Sequence, residues 1–341
     1  MKRLQILVTG GTGFLGKYVM PLLAADSSVH ATGLSRSQPE TLRGDLTKWD
    51  GGIDASSLRG AFDVLLHMAG HYDLRATQEE AFLHNIAGTH NALSLAQKAE
   101  IPHIVHISTV AVTMSRSGQR KPLGPEELDV IGDWPDAYAE SKAHAEKIVR
   151  SWDSIHFKSR LILRLGVLTG DTQGGAIPRI DGPYHTVESF QRLRKFIEKI
   201  PGPVPLPGRR GRRLPMVPVD RAAEAIVSLL LRSRKEKWEG TKSLYVVSDR
   251  GPTAEELFRS TFRHIGLPRD VQLLSELPYG LVKSAAEKLT GLPAEELEYV
   301  LRFPRFDLSE TRSLLGAEWC PEFSDYEAAF WRGYESYVQN R

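Results

Sequence analysis

Residues 4–25 read LQILVTGGTGFLGKYVMPLLAA, and this stretch decides the fold. LQILVT is short, apolar and β-rich, the pattern of a buried strand. It runs into Gly10, Gly13 and Gly16, spaced three apart, and then into a helix with apolar periodicity. A strand, a glycine turn and a helix in that order suit a pyrophosphate. The first glycine makes the turn, the second lets the phosphates approach, and the third lets the helix pack on the sheet. The bare helix N-terminus faces the negative charge. Candidate cofactor contacts along the turn are Gly10, Thr12, Gly13, Phe14, Leu15 and Gly16. The alternative is an ordinary Gly-rich turn between a strand and a helix.

Working outward, VHATGL (29–34) reads as the second strand and ends in Ser35-Arg36-Ser37. A site for NAD(H) would place Asp or Glu near here for the ribose 2′-hydroxyl. Arg36 instead offers a planar cation suited to a 2′-phosphate, so NADP(H) is favoured over NAD(H). A solvated surface arginine is the competing reading. Asp45 and Leu46 follow a third short strand and suit a contact with the adenine edge. FDVLLHMAG (62–70) reads as a fourth strand, and Met68, Ala69 and Gly70 at its end leave room for a cofactor. Two further helix–strand pairs follow: QEEAFLHNIAGTHNALSLAQKA with HIVHIST, and SKAHAEKIVRSW with SRLILRLGV. Strand and helix alternate, so the expected fold is α/β, a Rossmann doubly wound parallel sheet with a smaller, mostly helical C-terminal region. The expected division is 1–167 with 214–250 as the nucleotide-binding core, and 168–213 with 251–341 as the substrate-binding region.

Composition narrows the function. The chain has 341 residues, 41% hydrophobic and 25% charged, which excludes a disordered chain. Lys plus Arg is 44 and Asp plus Glu is 42, a formal net charge of +2 that argues against a dedicated nucleic-acid binder. The single cysteine, Cys320, cannot form an internal disulfide, and a reducing, cytoplasmic setting is expected. The most apolar run, AIVSLLL (225–231), is far short of the roughly 20 residues a membrane span requires. The N-terminus has no apolar core of secretory length.

HISTVAV places Ser108 and Thr109 at the C-terminal end of a strand, and Tyr138 and Lys142 follow one helical turn apart. Tyrosine, with an ordinary pKa near 10, is a poor proton donor or acceptor at neutral pH. An ammonium about 4 Å away would favour phenolate by up to ~4 kcal/mol at an effective dielectric near 20, or about three pKa units. Tyr138 would then serve as general acid or base, with the Thr109 hydroxyl on the same substrate oxygen. The alternative is an ordinary amphipathic surface pair.

These motifs together resemble the extended short-chain dehydrogenase/reductases. The matching residues are TGGTGFLG (9–16), Asp45-Leu46, HMAG (67–70), Asn85, Ser108-Thr109 and YAESK (138–142). The resemblance implies a nicotinamide cofactor and a catalytic set of Thr109, Tyr138 and Lys142. It also implies a role for Asn85 in supporting the lysine, which competes with a helix-kink hydrogen bond. Many members form homodimers. A narrower resemblance covers nearly the whole chain. HMAGHYDLRATQEEAFLHNIAGTHN (67–91), GDTQGGAIPRIDGPYHTVESFQRLRK (170–195) and MVPVDRAAEAI (216–226) resemble bacterial fatty acyl-CoA reductases and the related male-sterility-type thioester reductase domains. IDGPY (180–184) carries most of that likeness. Two departures are Gly70 where Ala is usual, and Arg164-Leu165-Gly166 where Arg-Pro-Gly is usual.

The narrower resemblance implies an NADPH-dependent reductase of acyl thioesters, with a small-molecule acyl thioester or carbonyl substrate. The runners-up are a ketone or alcohol dehydrogenase and a nucleotide-sugar epimerase. Val110 and Ala111 stand where sugar dehydratases carry an Asp-Glu pair. No cysteine nucleophile is required, and Cys320 reads as a small buried hydrophobe. The basic stretch GRRGRR (208–213) reads as a solvated turn, or else as a phosphate contact. The Pro-rich PGPVPLPG (201–208) reads as an extended connector. Aromatics toward the C-terminus, among them Phe258, Phe262, Tyr279, Tyr299, Phe303, Phe330 and Trp331, read as core.

Overall fold

Strand β1 (Leu4–Thr9) lies at the centre of a seven-stranded parallel sheet, buried on both faces along its second half. This is a computed structural model, and it describes residues 2–116, 121–152, 155–274, 299 and 303–341. Beyond β1 on one side come β2 (Val29–Ser35) and the two-residue β3 (Leu42–Arg43). On the other side come β4 (Val64–His67), β5 (His103–Thr109), β6 (Ser159–Leu165) and finally β10 (Gly240–Val246). The strand order reverses between β1 and β4. Ligands of open parallel sheets bind at the carboxyl ends of strands beside such a switch point.

Apolar residues on both faces of the strands sandwich the sheet between helices. Helices α1 (Gly16–Ala25) and α7 (Val219–Lys235) cover one face, where Val19, Leu23, Ile226 and Leu230 meet Ile6, Val8, Val64 and Leu66. On the other face Leu93 and Ala96 of α3 (Gly88–Lys98) and Val149 of α4 (Ala137–Ser151) pack on Leu7, Leu65 and Ile104. Helix α3 continues α2 (Gln78–Ala81) through a π-helical stretch, Phe82–Ala87.

The stretch SRLILRLGV, expected as one strand, divides at Gly166. Its nitrogen still donates to Val246, but that of Val167 donates to Pro215. The chain thereby leaves the main sheet, and β7 (Val167–Thr169) pairs with β9 (Met216–Pro218). The Pro-rich connector is likewise more than a spacer: β8 (Val204–Pro207) pairs in parallel with β11 (Val271–Leu274). A second core gathers there from α5 (His185–Arg192), α6 (Arg194–Ile197), α8 (Ala254–His264) and the C-terminal helix Phe323–Gln339. Tyr184 stacks on Phe330 with ring centroids 4.2 Å apart. Phe258, Phe262, Phe330 and Trp331 are buried in it as expected, and Tyr279 lies outside the described residues. Cys320 is buried, which pushes its thiol up to about 11. Among the described residues no helix is long and apolar enough to cross a membrane.

Candidate active site

The turn after β1 is built for close approach. Gly10 has φ +76°, and a Cβ there would stand 2.6 Å from the Ala69 nitrogen. A Cβ at Gly16 would stand 2.4 Å from the Gly10 carbonyl oxygen, so helix α1 can begin here only with glycine. At Gly13 the sole neighbour of such a Cβ is the Gly10 oxygen, at 3.3 Å. That open side faces a cavity of about 1030 Å³, whose wall includes Gly10, Gly13, Phe14, Leu15 and Gly16 from the turn and Met68, Ala69 and Gly70 after β4. These residues make a cradle that fits a dinucleotide.

The other expected cofactor contacts stand off this wall. Thr12 is exposed, and so is Arg36, one residue beyond β2. Asp45 and Leu46 are partly buried past β3. Partial burial works against the Asp45 charge, but hydrogen bonds from the Thr47 nitrogen and hydroxyl, at 3.1 and 2.9 Å, and the nearby Arg36 and Lys48 hold its carboxyl below the usual range.

Thr109, Tyr138 and Lys142 converge on the same cavity. Thr109 ends β5 on the cavity wall, and the neighbouring Ser108, also on that wall, donates to Glu146 Oε2 at 2.6 Å. Asp136 caps α4 by accepting from the Ala139 nitrogen at 2.8 Å, which fixes the first turn and Tyr138 with it. Lys142 is buried, and its Nζ donates to the Ile107 carbonyl at 2.9 Å. Burial draws its ammonium down to about 8, opposed by Glu146 one turn on.

The electrostatics of Tyr138 differ from expectation. Burial pushes its hydroxyl up, and Asp136 adds to this. The groups acting the other way are the Thr109 hydroxyl and the Arg179 guanidinium, rather than Lys142. Lys142 is tied to a backbone carbonyl of β5 instead.

The sequence model of the male sterility protein family matches residues 26–226. The chain belongs to the male sterility protein family. The matched model describes an NAD-binding domain, in keeping with the cradle at the glycine turn. It is 30% identical over 165 residues to 3 beta-hydroxysteroid dehydrogenase/Delta 5→4-isomerase of Mycobacterium tuberculosis, covering 44% of this chain and 43% of the relative. It is 36% identical over 154 residues to a putative dihydroflavonol 4-reductase of Synechocystis, covering 41% and 42%. The matches thus span less than half of these curated relatives.

Among solved structures, the terminal R domain from the myxalamid PKS-NRPS biosynthetic pathway superposes with a TM-score of 0.75 at 22% identity, covering 100% of this chain and 92% of that one. UDP-glucuronic acid 4-epimerase from Bacillus cereus superposes with a TM-score of 0.66 at 17% identity, covering 98% and 100%. Both share the fold of this male sterility family member.

Around the predicted residues the structure adds partners that sequence reading missed. Asn85, in the π-helical stretch, donates to Ser141 Oγ at 2.9 Å and to the His71 carbonyl at 3.1 Å, and accepts from the His71 nitrogen at 2.7 Å. It thereby ties this helix to α4 one residue before Lys142. A Cβ at Gly70 would stand 3.2 Å from Asn85 Oδ1 and 3.8 Å from Lys142 Nζ, so the glycine at this position leaves that amide undisturbed. Behind Lys142, Glu146 pairs with Arg164 at 2.7 Å, both side chains fully buried, and with Arg150 at 2.8 Å. His67 is held neutral by burial and by Lys142, at about 3, between the hydroxyls of Thr9 and Thr89. The one signal for the residues facing Tyr138 was the 180–184 motif, which adjoins Arg179.

Proposed function

We propose that this chain reduces an acyl thioester to the aldehyde, using NADPH and the set Thr109, Tyr138 and Lys142. The observation that carries this reading is a single continuous cavity. It runs from the glycine turn, past Thr109, Tyr138 and Lys142, to an apolar end walled by Phe190, Leu193, Leu206 and Phe258. A long apolar group seated there places its carbonyl at the three polar side chains. Residues 1–167 with 214–250 hold the cofactor in this reading, and 168–213 with 251–341 hold the acyl group.

A nicotinamide cofactor held by the glycine-turn cradle and by Met68, Ala69 and Gly70 would supply hydride to the carbonyl carbon. Thr109 donates a hydrogen bond to the carbonyl oxygen, and Tyr138 gives that oxygen its proton as negative charge develops on it. Lys142, still mostly protonated at neutral pH and tied to the Ile107 carbonyl, fixes the start of α4 on β5 and so holds Tyr138 beside Thr109. The resulting hemithioacetal then re-forms its C=O bond as the C–S bond breaks, and the hydroxyl proton leaves with the thiolate as free thiol. Arg36, exposed beyond β2, is the residue for the 2′-phosphate, which favours NADPH over NADH.

A second reading has one observation in its favour. The curated relatives include a hydroxysteroid dehydrogenase and a farnesyl-quinoline-oxide ketoreductase from Stigmatella aurantiaca, 29% identical over 160 residues. An apolar ketone or alcohol would occupy the same cavity. The test is NADPH with acyl-CoA esters of varied length, following nicotinamide absorbance and free thiol together, with Tyr138→Phe as control. Equal, Tyr138-dependent consumption of NADPH and release of thiol is expected. Turnover of a ketone with no thioester consumed would replace the first reading by the second.

A further inference from the structure

We propose that Arg179 is a positioning residue for Tyr138: lying across the Tyr72 ring that packs edge-on against the tyrosine, it holds the outer side of the phenol and brings a second cation to the site. The inference rests on the part of the preceding reading that makes Tyr138 the proton-handling group. It is independent of the thioester.

Arg179 comes from the segment between β7 and α5, and Tyr72 from the loop after β4. The Arg179 guanidinium carbon lies 4.9 Å from the centroid of the Tyr72 ring. Its Nη2 donates to the Tyr72 carbonyl, and its Nε pairs with Asp181 Oδ2 at 2.9 Å. The Tyr72 ring then meets the Tyr138 ring at 5.0 Å and an angle of 84°. Asp181, Arg179, Tyr72 and Tyr138 form one file along the cavity wall, which all four line. This contact joins the cofactor side of the cavity to its substrate side over the tyrosine.

The charged and titratable groups facing Tyr138 come from several elements. Asp136 stands at the start of its own helix, and Tyr299 donates to Asp136 Oδ2 at 2.8 Å. Lys142 lies one turn along α4, held to Ile107. Arg179, with Asp181 and the neighbouring His185, comes from the opposite segment. Among them Arg179 opposes the effect of burial on the phenol, as Thr109 does from β5. Asp181 is itself raised by burial, with Arg179 pulling it back.

The experiment is the pH profile of kcat/KM in the oxidative direction, with NADP+ and the hemithioacetal that an aldehyde and a thiol form, where Tyr138 must act as phenolate and the rate rises with pH along its limb. Removing a cation disfavours phenolate. Arg179→Gln is therefore expected to move the limb up by about one pH unit and to cut the rate about tenfold on the rising side, as for a charge some two ring contacts away at an effective dielectric near 20. Arg179→Lys, which keeps a cation, is expected to leave the limb close to wild type while raising KM through loss of the forked contact. A uniform fall in rate at every pH for Arg179→Gln, with the limb unmoved, would overturn the proposal and leave Arg179 a purely structural clasp. If no thioester is consumed but a ketone–alcohol pair is turned over, the thioester reading fails and the same profile on that pair still decides the role of Arg179.

Discussion

Lys142 donates from Nζ to the Ile107 carbonyl at 2.9 Å, two residues before Thr109 on the same strand. The helix that carries Tyr138 is thereby fastened to the strand that carries Thr109. Three side chains from two elements are held in one place, and that geometry comes at the cost of a buried charge.

That cost is measurable. Folding lowers Lys142 from its ordinary value of 10.5 to about 8. Between those values the unfolded chain holds the proton and the folded chain does not, so this group's contribution to stability rises with pH through that window. Below about pH 8 the whole penalty is present. Lys142→Met should therefore be more stable than the wild type at pH 7, by up to about 3 kcal/mol, while losing at least roughly 100-fold in turnover. Urea midpoints at pH 7 and pH 10 check this, since the gain should shrink at the higher pH. A lower midpoint at pH 7 would contradict the account.

Glu146 is bound by Ser108, Arg150 and Arg164, and its carboxyl is held below the usual range by those partners although burial opposes it. Glu146→Ala leaves the Arg164 guanidinium buried and uncompensated, and should cost about 3–5 kcal/mol of stability. Replacing both, as Glu146→Leu with Arg164→Met, should recover much of that loss. Denaturant titration of the single and double variants measures it, and a double variant no better than the single would show that the pair itself, rather than the stranded charge, stabilises the fold.

Thr109 should act through its hydroxyl alone. Thr109→Ser keeps most of the activity, whereas Thr109→Val loses about 100-fold in kcat, the usual cost of one donor at a developing oxyanion. Steady-state kinetics with saturating NADPH distinguishes them. Comparable losses in the two variants would point to packing instead of hydrogen bonding.

Arg36→Ala should weaken NADPH by about 10–100-fold, the worth of a charged hydrogen bond to phosphate, and leave NADH little changed. Fluorescence titration with each cofactor measures this directly. Equal losses would remove Arg36 from the phosphate site.

The glycine turn and the Tyr138–Lys142 pair were legible in sequence because their spacing is local: three residues and four residues on a strand–helix unit. What was illegible depends on distant partners. Glu146 meets Arg164 across 18 positions and two elements, and Arg179 meets Tyr72 across 107. The Pro-rich connector misled because its prolines suggest loop. However, Val204 at the start of β8 and Gly208 just after its end turn their N–H groups to one side, donating to the carbonyls of Asp270 and Leu274. By strand alternation Pro205 and Pro207 point the other way, where no donor is needed. The partial burial of Tyr138 was equally hidden, since the residues that share its stretch of cavity wall, such as Tyr72, Arg179 and Tyr299, come from segments far apart in the chain.

The wide turn that carries Asn85 has a consequence for length. Each residue of an ordinary helix advances the side chain by about 100°. Losing a single residue between Gln78 and Asn85 would swing the amide away from both Ser141 and the His71 backbone, even if every remaining side chain were retained. Point changes on the exposed face of that helix are therefore cheap, whereas a one-codon deletion there should silence the enzyme without unfolding it.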